Sequence, residues 1–153
     1  MARLNYFDIV LAIKNILLED EDLQNYHGTG VRVIIGDKLN GALPESAPCI
    51  ILEKRVRAAP ADTQRISAGT ITVFDIQITA LCVEFDLSSI EDAHRRLDEL
   101  ISYTELAIMR DRSLRGTVDH CRLDGGRFDS LSEGNHFIVG AEVNVFVRAK
   151  TSY

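Results

Sequence analysis

Thr70-Ile71-Thr72-Val73-Phe74-Asp75-Ile76-Gln77-Ile78-Thr79-Ala80-Leu81-Cys82-Val83-Glu84 is the stretch that decides how this chain folds. Phe74, Ile76, Ile78, Ala80 and Cys82 recur at every second position, so they share one face of a strand and cover a core. Asp75, Gln77 and Thr79 occupy the middle of the other face. At about 3.3 Å per residue the segment extends roughly 45–50 Å, against ~17–20 Å for a common strand. A domain of this mass is narrower than that. The preceding apolar run, residues 49–57, buries Ile50 and Leu52 and turns polar at Glu53, Lys54, Arg55 and Arg57. The two segments therefore predict a hairpin whose tip, an exposed loop over residues 58–69, projects beyond the body.

Outward from the hairpin, helical and strand periods alternate. Tyr6, Ile9, Val10, Ile13, Ile16 and Leu17 fall on one face of an opening helix, with Asn5 and Asp8 as a capping pair. The acidic run Glu19-Asp20-Glu21-Asp22 sits at the negative end of that helix dipole. Either the helix stops near Leu18 or the acids are held for a partner; a solvated surface run is the simpler reading. Residues 31–35 read as a short strand and 36–48 as a loop. Ser88-Ser89-Ile90-Glu91 reads as a capping box, with Glu91 reaching back to the Ser88 amide. It opens a second helix with the stripe Ile90, Ala93, Leu97, Leu100, Ile101, Thr104 and Ile108, terminated by Gly116. Residues 117–123 read as a strand, Gly125 through Asn135 as a turn, and 136–150 as a last strand apolar along Phe137, Val139, Ala141, Val143, Val145 and Val147. The class expected is α+β: an antiparallel-dominated, mixed β-sheet with two α-helices packed on one face and a long projecting β-hairpin.

The chain has 153 residues, 46% apolar and 26% charged, which suits one domain over residues 1–153 and argues against disorder. Its start runs straight into an amphipathic pattern, and no apolar run approaches the ~18–20 residues of a bilayer span, so a soluble, cytosol-made protein is expected. Cys49, Cys82 and Cys121 form no CxxC pair, and their odd number argues against a disulfide framework or a zinc site. The net charge is −6, and five of the acids fall in the first 30 residues against two bases. No basic footprint for tight phosphate binding is visible.

Catalytic patterns are sparse. Gly36-Asp37-Lys38-Leu39-Asn40-Gly41 lacks the closing Gly-Lys-Ser/Thr of a phosphate loop and opens no helix. His27, His94, His120 and His136 are dispersed. In Asp119-His120-Cys121 the neighbours point to opposite faces of a strand, so His120 and Cys121 cannot share a proton. A non-enzymatic role without metal or cofactor is expected. A small α+β enzyme or ligand-binding protein is the reading left behind these. A projecting ribbon gains order by lying against something, and a second copy is the economical candidate; head-to-tail contacts that close make a ring.

The end of the second helix reads Arg110-Asp111-Arg112-Ser113-Leu114-Arg115-Gly116-Thr117-Val118, and the chain closes on an alternating strand, 140–150, ending in a basic residue. With the order of elements, this resembles the tail terminator proteins of long-tailed bacteriophages, also called tail completion or minor tail proteins. Asp111, Ser113, Leu114 and Gly116 match a pattern of an acidic residue, Thr or Ser, Leu, small residues and Gly; Arg115 departs from the small residue, frequently Gly, found before the last glycine. The resemblance implies a virion protein: a hexameric ring that caps the tail tube at the head-proximal end and is assembled in the host cytoplasm. Its partners would be sister copies, the tail tube protein and a head-side connector, with DNA passing through the lumen unread. A neck or head-completion protein, joining head to tail from the other side, is the neighbouring alternative. Arg55, Arg57, Asp62, Gln64 and Arg65, on or near the hairpin tip, are the candidate interface residues, where charged pairs set register and partner choice.

Overall fold

A computed structural model describes residues 6–36, 48–57, 62–66, 69–86, 89–118, 120–133 and 136–152; the side chains of 56–57, 62–66, 69–75, 85–86, 129–133, 136–137 and 149–152 lie outside the description. Helix α1 spans Tyr6–Glu19, a short α2 Glu21–Gln24 and α3 Ile90–Met109. The strands are β1 Arg32–Ile35, β2 Cys49–Arg57, β3 Asp62–Ile66, β4 Gly69–Asp86, β5 His120–Asp124, β6 Phe128–Glu133 and β7 His136–Ser152. They form one seven-stranded sheet in the order β1-β2-β4-β7-β5, with β3 beside β4 and β6 beside β7. Among the described strands only β1 and β2 run parallel, so the architecture is a mixed, antiparallel-dominated α+β fold.

The sheet is organised on the β4–β7 pair, which keeps one register through sixteen consecutive partners, from Ile71↔Ser152 to Asp86↔Phe137. Its inner face carries Ile76, Ile78, Ala80 and Cys82 opposite Val147, Val145, Val143 and Ala141, all buried. Ile50 and Leu52 of β2 and Cys121 of β5 extend that surface sideways. Onto it α1 lays Ile9, Val10, Ile13, Ile16 and Leu17, and α3 lays Ala93, Leu97, Leu100, Thr104, Ala107 and Ile108. A smaller apolar group, Cys49, Ile51, Leu81 and Val83, gathers on the opposite face, with Ile138 against it.

The projecting element differs in make-up from the expected two-stranded hairpin. Within the stretch expected to be a loop, β3 pairs with the start of β4, from Ile66↔Gly69 to Asp62↔Val73, while β2 pairs only with Ile76 and beyond. A bulge between Lys54 and Val56 interrupts the β2 ladder just before it ends. On its other side β4 keeps β7 as far as Ser152. The arm is therefore three-stranded, a more self-supporting unit than an isolated ribbon. A 20-residue α3 spans about 30 Å, whereas the 18 residues of β4 span roughly 60 Å. Since α3 starts just past the C-terminal end of β4 and runs back, it covers about half of the strand; roughly 30 Å of strand continues past it.

Other expectations shift by small amounts for local reasons. Residues 128–133, read as part of a turn, form the edge strand β6, paired with β7 from Phe128↔Ala141 to Glu133↔His136. The cap of α3 is Ser89, whose hydroxyl accepts from the Asp92 N–H at 3.4 Å, one residue later than the expected box; Ser88 lies outside the described residues, as does Asn5. Ile90, placed in the core stripe, is exposed, because a residue in the first helical turn sits beyond the edge of the packed face. Gly126 marks the corner between β5 and β6: a Cβ there would overlap the Glu142 main chain.

Leu97 is 0% exposed, so Leu97→Asp is expected to unfold the domain by placing an unpaired carboxylate in the core, at a cost of several kcal/mol. An unchanged melting temperature by circular dichroism would mean that the stripe faces water. Gly126→Ala should lower stability by about 1–3 kcal/mol in urea titrations, since backbone must move to admit the methyl group.

Candidate functional site

The cysteines offer no reactive centre. Cys49, Cys82 and Cys121 are buried and unpaired. Burial pushes the thiols up, Cys49 to about 11 and Cys82 to about 12, which removes thiolate at neutral pH. Burial likewise raises Cys121, which points inward while the neighbouring His120 is exposed, as strand alternation demands. Among the described residues no group of three or more His, Cys, Asp or Glu is placed to hold a metal ion. Among the described residues no helix is long and apolar enough to cross a membrane.

The most constructed local feature is the exit from α3. Leu114, Arg115 and Gly116 take φ of +49°, +60° and +79° in succession. A left-handed turn costs a non-glycine residue roughly 1–2 kcal/mol, and here the surrounding groups offset it. The Asp111 carboxylate accepts from Ser113 Oγ at 2.9 Å and from the Arg115 N–H at 3.0 Å. Ser113 Oγ in turn accepts from the Gly116 N–H at 3.2 Å, and Thr117 Oγ1 donates to the Leu114 carbonyl at 2.6 Å. Leu114 is driven into the core at 0% exposure. Arg112 then fastens the loop to β5, with its Nε donating to the Cys121 carbonyl at 3.1 Å. The motif residues thus divide the work of the turn. Asp111 and Ser113 fill amides that it exposes, Leu114 anchors it, and Gly116 relieves its last residue.

The acidic run meets this same loop. α1 ends at Glu19, which pairs with Arg115; Asp20 caps α2, accepting from the Leu23 N–H at 3.1 Å. Asp20 also pairs with Arg110 at 3.2 Å, and Asp22 with Arg110 at 3.5 Å. α1 has no basic residue in its last turn, so these arginines bring the cations that a helix C-terminus favours. The helix does stop beside Leu18, and Glu19, Glu21 and Asp22 are exposed as a solvated run requires. Three of the four acids, however, are matched within the subunit rather than held for a partner, across largely surface pairs that salt screens.

The five candidate interface residues spread along the arm. Arg55 lies at its base and is engaged within the subunit, with Glu142 at 3.1 Å and the 5%-exposed Glu53 at 3.7 Å. Arg57 stands opposite Ile76, where β2 ends. In the backbone register Asp62 and Gln64 pair with Val73 and Ile71, and Arg65 with Thr70. The side chains of these four lie outside the described residues. Sequence reading stopped the last strand at Lys150, although β-branched Thr151 continues it. Register then forms rows across the arm: Asp62, Val73 and Lys150, and next Gln64, Ile71 and Ser152. Beside the base, the outer face is tied by Asn144, whose Oδ1 accepts from Gln77 Nε2 at 3.1 Å and from Thr79 Oγ1 at 2.8 Å. Asn144 Nδ2 donates to the Gly125 carbonyl at 2.8 Å.

Asp111→Ala should cost about 1–2 kcal/mol in urea titrations, the range for losing a side chain that satisfies turn amides. Arg115→Gly is expected not to lower stability, since glycine adopts the left-handed conformation freely. A loss as large as that of Asp111→Ala would show that the Arg115 side chain, rather than the backbone network, holds the turn.

The sequence matches no protein-family model and no curated protein. Among solved structures, a chain of the virion of a native gene transfer agent particle aligns with 92% of this chain and 94% of its own length, at a TM-score of 0.42 and 9% sequence identity.

Proposed function

We propose that this chain is a ring-forming structural subunit of a phage-type virion, and that six copies cap the tail tube at its head-proximal end. The ring ends tube growth on one face and offers the other to a head-side connector. The observation that carries the reading is the three-stranded arm of β3, β4 and β7 continuing roughly 30 Å past α3. Sheet without a helix layer gains order by lying on a neighbour. When donor and acceptor surfaces differ, such contacts are head-to-tail, and a rotation that closes them gives a ring. Asp62, Gln64 and Arg65 on β3, with Arg57 at the end of β2, are the residues proposed to meet the neighbour or the tube. Arg55, already held by Glu142, braces the arm's base.

The exit loop of α3 adds a second line of support. Its Asp111, Ser113, Leu114 and Gly116 are the positions that resemble the terminator family, and each has a definite part in a rigid left-handed turn. The electrostatics suit a passage that does not read DNA: six copies of a chain with net charge −6 repel a polyanion and let it slide.

Native mass spectrometry is expected to give a hexamer, and adding the protein to polymerising tail-tube protein to stop growth. A monomer at micromolar concentration would remove the ring. Rings that bind the connector but leave tube growth unchanged would place the protein in the neck instead. Replacing residues 58–68 with a short Gly-Ser turn deletes β3 while sparing the core; that variant should keep its melting transition and lose tail attachment. Infectious particles formed at the normal level with it would overturn the assignment.

A further inference from the structure

Two apolar surfaces on the helix side of the sheet are open to solvent, at its opposite ends. α1 packs over β1 and β2, at one end of the strand order, and α3 over β4, β7 and β5, toward the other. On α1, Phe7, Leu11 and Leu18 are 47%, 37% and 39% exposed. At 3.6 residues per turn they fall within about 40° of one another and form one stripe. The flank of α1 toward α3 is marked by the buried Ala12 and by Glu19, which pairs with Arg115. Leu11 and Leu18 are each turned about 100° from that flank, onto the side away from the sheet and from α3. Phe7 also engages its own subunit, so Leu11 and Leu18 are the available members of the stripe.

At the far end, Phe128 opens β6 and is 65% exposed, the most of any large apolar side chain among the described residues. It pairs with Ala141, a buried member of the inner face. Direct partners share a face, so Phe128 stands on the helix side of the sheet. α3 presents one flank to α2, where Glu99 meets His27 and Tyr103 meets the Tyr26 ring. Ile101 lies on the opposite flank, half-buried against the core as is Leu123 of β5. Phe128, Leu123 and Ile101 thus edge the core at this end and leave apolar surface uncovered.

We propose that the α1 stripe of one copy packs on the Phe128 surface of the next, joining subunit bodies head to tail. The contact rests on the ring reading given above and is separate from the arm.

Charge selects a second copy as the occupant. Glu19, Asp20, Asp22, Asp92 and Glu99 are matched inside the subunit. Lys14 and Asp8 beside the stripe are not, nor are Asp98 and Glu105 along the Ile101 flank or Arg127 next to Phe128: among the described residues none of these five has an ion pair. The two sets are complementary, Lys14 to Asp98 and Glu105, and Asp8 to Arg127. Two α3 flanks set against each other would oppose carboxylate to carboxylate, so the charges favour unlike ends meeting. Unlike ends on opposite edges of one subunit leave each copy with a donor and an acceptor, which is the condition for a closed ring.

The test uses the full chain with thiols placed at exposed positions. Cys49, Cys82 and Cys121 are buried, so a bismaleimide reacts first with the introduced thiols. A mixture of Leu11→Cys and Phe128→Cys proteins is expected to give a cross-linked dimer, and neither variant alone to do so. Leu11→Glu and Phe128→Glu should each keep the wild-type melting temperature. In sedimentation each should raise the dissociation constant of the assembly by about tenfold or more, the scale of a lost interface anchor. Lys14→Glu should weaken assembly, and adding Asp98→Lys and Glu105→Lys should restore it. Self-cross-linking of either cysteine variant as efficient as that of the mixture would overturn this contact and leave the ring standing, as would assembly unchanged by both glutamate variants. A wild-type chain monomeric at every concentration would remove contact and ring together. Assembly through this contact that leaves tube growth unchanged would uphold the contact and remove the cap.

Discussion

The structure depends on β4 and β7 staying in one register over sixteen partners. A one-residue slip would exchange inner and outer faces along the whole pair, turning Ile76, Ile78 and Cys82 outward and Gln77 and Thr79 inward. The apolar inner face makes that slip costly, and both helices pack against the result. Every other strand is referenced to this pair: β2 and β3 follow one edge of β4, and β5 and β6 follow one edge of β7. The sheet is thus two long strands with four shorter segments laid end to end along them, and β1 added outside β2.

The rule that specifies the pair changes along its length. Across the body, side chains choose the register, because residues 76–84 and 139–147 cover the core. Beyond the helix layer the same register continues by main-chain hydrogen bonding and cross-strand neighbours. A ladder started in the core carries its alignment outward at no further cost in register entropy. That is how a strand such as β3, whose sequence Asp62-Thr63-Gln64-Arg65-Ile66 carries no apolar alternation, finds a unique partner at Gly69–Val73.

The same division explains what could be read in advance. Strands β1, β2, β4 and β7 and both long helices show their period in the sequence, because each turns a stripe of Ile, Val and Leu toward one core. Gly116 was legible too, as the terminator of α3, and it takes a positive φ there. Strands β3 and β6 were not. Asp62-Thr63-Gln64-Arg65-Ile66 and Phe128-Asp129-Ser130-Leu131-Ser132-Glu133 have no clear alternation, and pairing with a long neighbour overrides weak local preference. The pairing of Glu19, Asp20 and Asp22 with Arg110 and Arg115 was equally hidden. It joins residues about ninety positions apart, and no local pattern encodes such a meeting.

Polarity in those edge strands has a physical use. An exposed strand edge is a template for unwanted pairing, and short, polar edges are a common defence. β3 and β6 fit that description, so the chain carries two long central strands without offering a long apolar edge of its own at these positions. For β3 the defence also bears on assembly. If the arm is the proposed contact, charge and hydrogen bonding suit it better than an apolar surface, because misplaced charges repel and unpaired amides cost free energy. A hydrophobic arm would bind more partners and distinguish fewer. The segment that periodicity could not detect is therefore the one whose composition suits a selective contact, and the absence of a core pattern there has the same origin as its fitness for a surface.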